Sequence, residues 1–262
     1  MHNSNESIVI TIGNTKGGCG KSTIAVLISH YLSLKSDWQK SQGLKEEKIC
    51  IIDFDTPQST SETFFQNRLK NFGGKAITPI RISYDMNNIY FKKEEFKQYL
   101  NTLKEDYHYI LIDSGGHHDE VTQLSIECAD VLVTPVINTI IDLNVLFNYN
   151  SDNGEITEGS YTKFVRASRD KKKKLAWFVI PNRCSPIITE YSKKCLNILN
   201  AMSNLIGFKV TGTVSDRAVY SQGFDMGITC FDNNLKMYFP INNMSTINAK
   251  KEISNIVEFI TQ

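Results

Sequence analysis

Gly13-Asn14-Thr15-Lys16-Gly17-Gly18-Cys19-Gly20-Lys21-Ser22-Thr23 is the stretch that decides the fold of this chain. An apolar, β-branched run, residues 8–12, precedes it, and a helical pattern, residues 24–34, follows it. A glycine-rich loop between a strand and a helix is the setting of a phosphate-binding loop. Glycines let successive backbone N–H groups turn toward phosphate oxygens, and the helix N-terminus adds partial positive charge. Lys16, Gly17, Gly18, Cys19, Gly20 and Thr23 would then line the cradle. Lys21 would reach the β- and γ-phosphates, and the Ser22 hydroxyl would bind Mg²⁺. The strict pattern asks for glycine where Thr15 stands; what the chain offers instead is a second lysine, Lys16, at the front of the loop.

Working outward, residues 48–55 form an apolar strand pattern ending in two carboxylates, Asp53 and Asp55. Ligands of open α/β sheets bind beyond the carboxyl ends of strands, where both fall. Residues 59–71 start with hydroxyl caps and read as a helix. Residues 77–83 read as a strand and 92–104 as a helix. Tyr107-His108-Tyr109-Ile110-Leu111-Ile112-Asp113 is a further strand, whose last carboxylate has the form of a Walker B aspartate for Mg²⁺. Ser114-Gly115-Gly116 follows, and Gly116 can bring its backbone N–H to the γ-phosphate. His117-His118-Asp119-Glu120 has metal-ligand residue types, but adjacent loop residues rarely converge on one ion, so this reads as an exposed switch loop. Cys19 has no His or Asp partner nearby in sequence and reads as packing, not as a nucleophile.

Residues 129–135 are the next strand, and 142–147 start a helix. Residues 148–160 are a polar excursion. Residues 161–174 read as a basic helix with a solvated face, and 175–181 as a strand that delivers Asn182 and Arg183 to its carboxyl end. An asparagine there can pair its amide with the edge of adenine. Residues 187–205 are amphipathic and carry Lys193 and Lys194; residues 208–214 form a seventh strand, followed by Asp216 and Arg217. Ile253, Ile256, Val257 and Ile260 recur at helical spacing and predict a terminal helix packed on the core. Strands alternating with helices give an α/β fold: a three-layer, doubly wound, mostly parallel sheet of seven or eight strands in one 262-residue domain.

Lys+Arg is 29 against Asp+Glu 28, so global charge announces no nucleic-acid binder, and any DNA contact must be a local patch. Six cysteines form no C-x-x-C pair and predict buried thiols in a reducing compartment. Residues 1–7 are polar, and no apolar run approaches the ~18 residues of a membrane span. A cytoplasmic protein is expected.

Lys16-Gly17-Gly18-Cys19-Gly20-Lys21-Ser22 resembles the deviant P-loop of the ParA/MinD family of ATPases. The resemblance implies that Lys16 is the signature lysine, contacting the nucleotide of a partner subunit. Asp55-Thr56-Pro57-Gln58 is similar to the family's switch I, which implies that Asp55 orients the attacking water and Asp53 is an outer Mg²⁺ partner. Asn182 stands where the family carries its base-reading asparagine, which implies ATP/ADP as the nucleotide. Further stretches resemble the division-plane-positioning branch, MipZ: Ser22-Thr23-Ile24-Ala25-Val26, Phe64-Phe65-Gln66-Asn67-Arg68, Ala129-Asp130 with Thr134-Pro135, and Ile206-Gly207-Phe208-Lys209-Val210. That likeness implies an ATP-dependent homodimer that binds DNA nonspecifically on the nucleoid, engages the centromere-binding protein ParB and inhibits FtsZ assembly. The family's DNA face is rich in arginine, whereas Lys193, Lys194 and Arg217 are the candidates here, so DNA binding should be weak and salt-sensitive. A ParA-type partition ATPase and a metabolic ATP-using enzyme of the same superfamily are the other readings.

Overall fold

Apolar runs of β-branched residues supply strands β1 (Ile8–Ile12), β2 (Ile49–Asp53), β3 (Ile80–Ser83), β4 (Tyr109–Asp113), β5 (Val131–Ile137), β6 (Phe147–Tyr149), β7 (Ile156–Glu158), β8 (Ala176–Asn182) and β9 (Lys209–Val210). The computed structural model describes residues 6–54, 60–73, 80–83, 93–116, 120–149, 155–169, 174–233, 235–238 and 243–262. Among the described residues, seven strands form one sheet in the order β3-β2-β4-β1-β5-β8-β9, every pairing in it parallel. β6 and β7 make a separate antiparallel pair.

Helices α1 (Lys21–Ser41), α2 (Thr60–Phe72), α8 (Ala218–Asp225) and α9 (Asn243–Ile260) cover one face of the sheet. Helices α3 (Lys93–Asp106), α4 (Glu120–Cys128), α5 (Ile140–Leu143), α6 (Ser160–Ser168) and α7 (Glu190–Ile206) cover the other. Side chains alternate between the layers: Ile10, Ile12, Ile51 and Leu111 face the first, Val9, Cys50, Ile52 and Ile110 the second. Both faces are therefore dry, which is why the central strands read as unbroken apolar runs. Thr11 is the polar exception in β1, and its hydroxyl donates to the Ser125 carbonyl at 2.7 Å.

Register places the site. Ile12 pairs with Asp113, and Asp113 pairs with Asp53, so β1, β2 and β4 end at one level of the sheet. The loop after β1 and the carboxylates of β2 and β4 thus share the carboxyl edge. Among the described residues, no helix is long and apolar enough to cross a membrane. All six cysteines are buried thiols.

Several expectations shift in detail. α1 runs to Ser41, so the start of the polar stretch 36–48, readable from sequence as a loop or a helix extension, extends the helix. α5 is only four residues long, and Phe147 already begins β6, so no helix extends over 142–147. The polar excursion holds the β6–β7 arms at its ends. α6 stops at Ser168, where Arg169 turns extended; residues 170–173 of the expected basic helix lie outside the described residues. β9 is a two-residue edge strand, shorter than the pattern over 208–214. α9 buries Ile253, Ile256, Val257 and Ile260 against the core, as the spacing predicts, and Glu258 pairs with Lys35 of α1.

Candidate nucleotide site

Two glycines of the loop from Gly13 to Gly20 sit where a side chain would collide. Gly20 adopts φ +93°, and a side chain there would meet the Asn182 amide nitrogen at 2.3 Å. Gly13 lies against the fully buried Tyr161 phenol, which a side chain would approach to 2.7 Å. Asn14 fastens the loop front: its amide donates to the Pro135 carbonyl at 2.8 Å, and its carbonyl oxygen accepts from Lys16 N–H at 3.0 Å. α1 starts at Lys21, so its free N–H groups and positive dipole end face the loop interior. Burial pushes the Cys19 thiol up, outweighing the opposing charge of Lys21, and its Sγ–H lies on the Lys16 carbonyl at 3.3 Å. It is packing, with no thiolate character.

The two lysines of the loop face different ways. Lys21 is buried and donates to the Lys16 carbonyl at 3.3 Å, lying across the cradle beside Gly116, where a side chain would press to 3.3 Å of its ammonium. Lys16 instead pairs with the Asp142 carboxylate in α5. Thr139, the N-cap of α5, fixes that carboxylate through a 2.5 Å hydroxyl bond and accepts from Asp142 N–H. The Lys16 side chain remains about a third exposed.

Asp53 and Asp113 are buried at the strand ends, and the Ser61 hydroxyl from the first turn of α2 donates to Asp113 Oδ2 at 2.8 Å. These carboxylates and the Ser22 hydroxyl in the first turn of α1 are hard oxygen donors, the ligand type that Mg²⁺ takes. Asp55 lies outside the described residues, as does the His117-His118-Asp119 run.

Beside the loop opens a cavity of about 500 Å³, lined by Thr23, Asn182, Arg183, Ser215, Tyr220 and Phe224 among others. The Asn182 amide nitrogen donates to the Cys19 carbonyl at 2.8 Å, so the residue joins the cavity to the phosphate loop. Arg183 is held at φ +51°, a left-handed conformation that costs an arginine about 1 kcal/mol. Neighbouring backbone bonds impose it: Cys184 N–H to the Val214 carbonyl at 3.0 Å, Asp216 N–H to the Cys184 carbonyl at 2.8 Å. A strained residue fixed at a cavity wall is a frequent mark of a ligand site.

Of the DNA candidates, Lys193 pairs with Glu190 in the exposed first turn of α7, and Lys194 beside it is exposed. Arg217 turns inward onto Glu252, with Nη2 at 2.5 Å from Oε1, and is not available to a phosphate chain. Sequence reasoning missed Asn14, Ser61 and Asp142. Only the short Thr139-x-x-Asp142 capping pattern left a local trace.

A family model, ATPase MipZ, matches residues 8–261. No curated protein matches the chain. Among solved structures, the ATP complex of a Cyanothece McdA variant superposes with TM-score 0.67 at 16% identity, covering 99% of each chain. A putative plasmid partition protein from Borrelia burgdorferi B31, bound to AMPPNP, gives 0.64 at 21%, covering 97% of this chain and 98% of that one. The MinD cell division protein in the MinC:MinD complex of Aquifex aeolicus gives 0.62 at 15%, covering 97% and 96%. At these identities the likeness speaks for the shared α/β fold.

Proposed function

The chain belongs to the MipZ family of ATPases, and from that premise we propose that it is an ATP-driven dimerisation switch that helps position the division plane. The observation that carries the reading is the divided loop: Lys21 lies over its own phosphate cradle, while Lys16 is turned away and paired with Asp142. A single-site nucleotide pocket needs one such lysine; a second, partly exposed one fits a nucleotide held by another subunit.

In this reading the loop N–H groups and Lys21 hold the phosphates, and Asn182 presents its carbonyl oxygen to the adenine amino group. Bound Mg²⁺ would neutralise phosphate charge, held by Ser22 and, from the strand ends, Asp53 and Asp113. Asp55 orients the attacking water. Lys16 leaves Asp142 and reaches the partner's γ-phosphate, so hydrolysis depends on dimer formation. The dimer then engages ParB and FtsZ. Lys193 and Lys194 offer DNA only weak, salt-sensitive contacts. A partition ATPase without action on FtsZ is the second reading, favoured by the likeness to a plasmid partition protein; ParB binding with no change in FtsZ assembly selects it.

Light scattering tests the switch. Asp55→Ala should form a dimer with Mg·ATP and stay monomeric with Mg·ADP, and adding Lys16→Ala should abolish that dimer. A dimer that survives without Lys16 removes the basis of the reading.

A further inference from the structure

Helix α2 joins the two ends of the site. Its first turn carries Thr60, at the wall of the cavity, and Ser61, on Asp113. Its other half is fastened to the segment that follows α8, the helix that supplies Tyr220, Ser221 and Phe224 to the same cavity. Arg68 is 2% exposed. Its guanidinium forks onto Asp232 at 2.8 and 2.9 Å, donates to the Gly227 carbonyl at 2.9 Å and lies over the Phe72 ring. Asn67 and Asn71 donate to the Asp225 and Met226 carbonyls at 2.8 and 2.6 Å. Gly227 sits so close that a side chain there would come 2.2 Å from Arg68 N, backbone against backbone. Phe64 meets Phe224 with ring centroids 5.0 Å apart.

Three consecutive carbonyls, at residues 225–227, therefore accept from one face of α2, and the aromatic pair extends the contact to α8 itself. Two elements fastened by a buried bidentate ion pair and close backbone contact move together or not at all. We propose that Arg68 is a positioning residue: it locks α2 to α8, so that a base seated against α8 sets Thr60, Ser61 and, through Ser61, the Asp113 carboxylate. The base of the nucleotide then contributes to arranging the phosphate end of the site, not only to affinity. This rests on the nucleotide-site reading above and not on dimerisation.

Arg68 lies eight residues beyond Thr60, about 12 Å along the helix, so its removal acts through docking and not through direct contact with a base bound at Thr60. The test uses AMP, which carries the base but lacks the phosphates that Lys21 would hold. Hydrogen exchange over residues 60–66 is followed in the full chain with and without saturating AMP, and calorimetry gives AMP affinity. AMP should slow exchange there by about fivefold or more, a typical lower limit for coupled sites. Arg68→Lys should lose that slowing and still bind AMP, more weakly by about the same factor, since the coupling is reciprocal. Asn67→Ala/Asn71→Ala, which leaves no buried charge alone, should lose part of it. Slowing that persists in both variants, with exchange merely faster throughout, would mean that Arg68 only stabilises the fold and overturns the proposal. Bound AMP without slowing in the parent chain overturns it too, and so does a chain that binds no AMP. A chain that passes this test yet forms no ATP-dependent dimer would sink the switch and leave the coupling standing.

Discussion

The Lys16–Asp142 and Arg68–Asp232 pairs both join distant parts of the chain, yet their surroundings differ in every respect that sets the strength of an ion pair. Lys16 is about a third exposed, is held by one carboxylate and reaches it from the mobile end of a long side chain. Arg68 is buried, planar, doubly bonded to Asp232 and stacked on a ring. Burial tends to push the Asp232 carboxyl up, but the Arg68 fork and its charge outweigh this and hold it below the usual carboxylate range. An exposed pair contributes little and exchanges readily with solvent; a buried pair is hard to break, because either charge alone would be stranded. One pair is suited to release and the other to permanence.

The largest contrast is in stability. Arg68→Ala strands Asp232 in the interior and should cost about 3–5 kcal/mol in urea unfolding, whereas Lys16→Ala should cost about 1 kcal/mol or less. Comparable losses would dissolve the distinction between the two regions.

Acid sharpens the same contrast. His30 packs beside the rear pair, sharing a 2.7 Å bond with Thr229, and burial, helped by the Arg68 charge, lowers its pKa to about 4. Above pH 6.5 the imidazole is neutral in both folded and unfolded chains. Between pH 6.5 and 4 the unfolded chain takes up a proton that the folded chain refuses, so stability falls by up to about 3 kcal/mol. Asp232 and Glu252, both held low, extend the decline at lower pH. Denaturation midpoints from pH 7 to 4 should therefore fall steadily, and His30→Gln should flatten the upper part of the curve.

The smallest stability effect belongs to Asp142→Asn, within about 0.5 kcal/mol. Its consequence is expected in assembly: with Lys16 no longer held back, the ATP midpoint for dimerisation in light scattering should drop several-fold, by analogy with a ligand-competent state made more populated. An unchanged midpoint would show that the front pair imposes no restraint.

The difference between these regions also explains what the sequence could reveal. The loop and strands were legible because their signals are local: glycine spacing, β-branched runs, a carboxylate at each strand end. The strands' order and register were not, and the pairing of Asp53 with Asp113 comes from the structure. Nothing local marks Arg68 as the partner of Asp232, 164 residues on, and its neighbours read as an ordinary polar helix. Asp142 read as a helix start, whereas it lies inside a short helix capped by Thr139; its second contact, to Lys16, depends on where β5 ends. Arg217 read as a surface cation beside a loop, whereas the Glu252 that claims it lies 35 residues away.

Asn182 carries a consequence for any attempt to change what this protein consumes. Its amide both walls the cavity beside the loop and ties the Cys19 carbonyl across 163 residues of chain, with Gly20 pressed against it. Asn182→Asp would leave an acceptor toward the base but remove the amide donor, putting a carboxylate against that carbonyl and loosening the phosphate grip. In the proposed reading, nucleotide preference and phosphate affinity would therefore be written in one side chain. A lineage drifting toward another base would have to cross a stage that holds neither nucleotide well, unless a second substitution re-anchors the loop first.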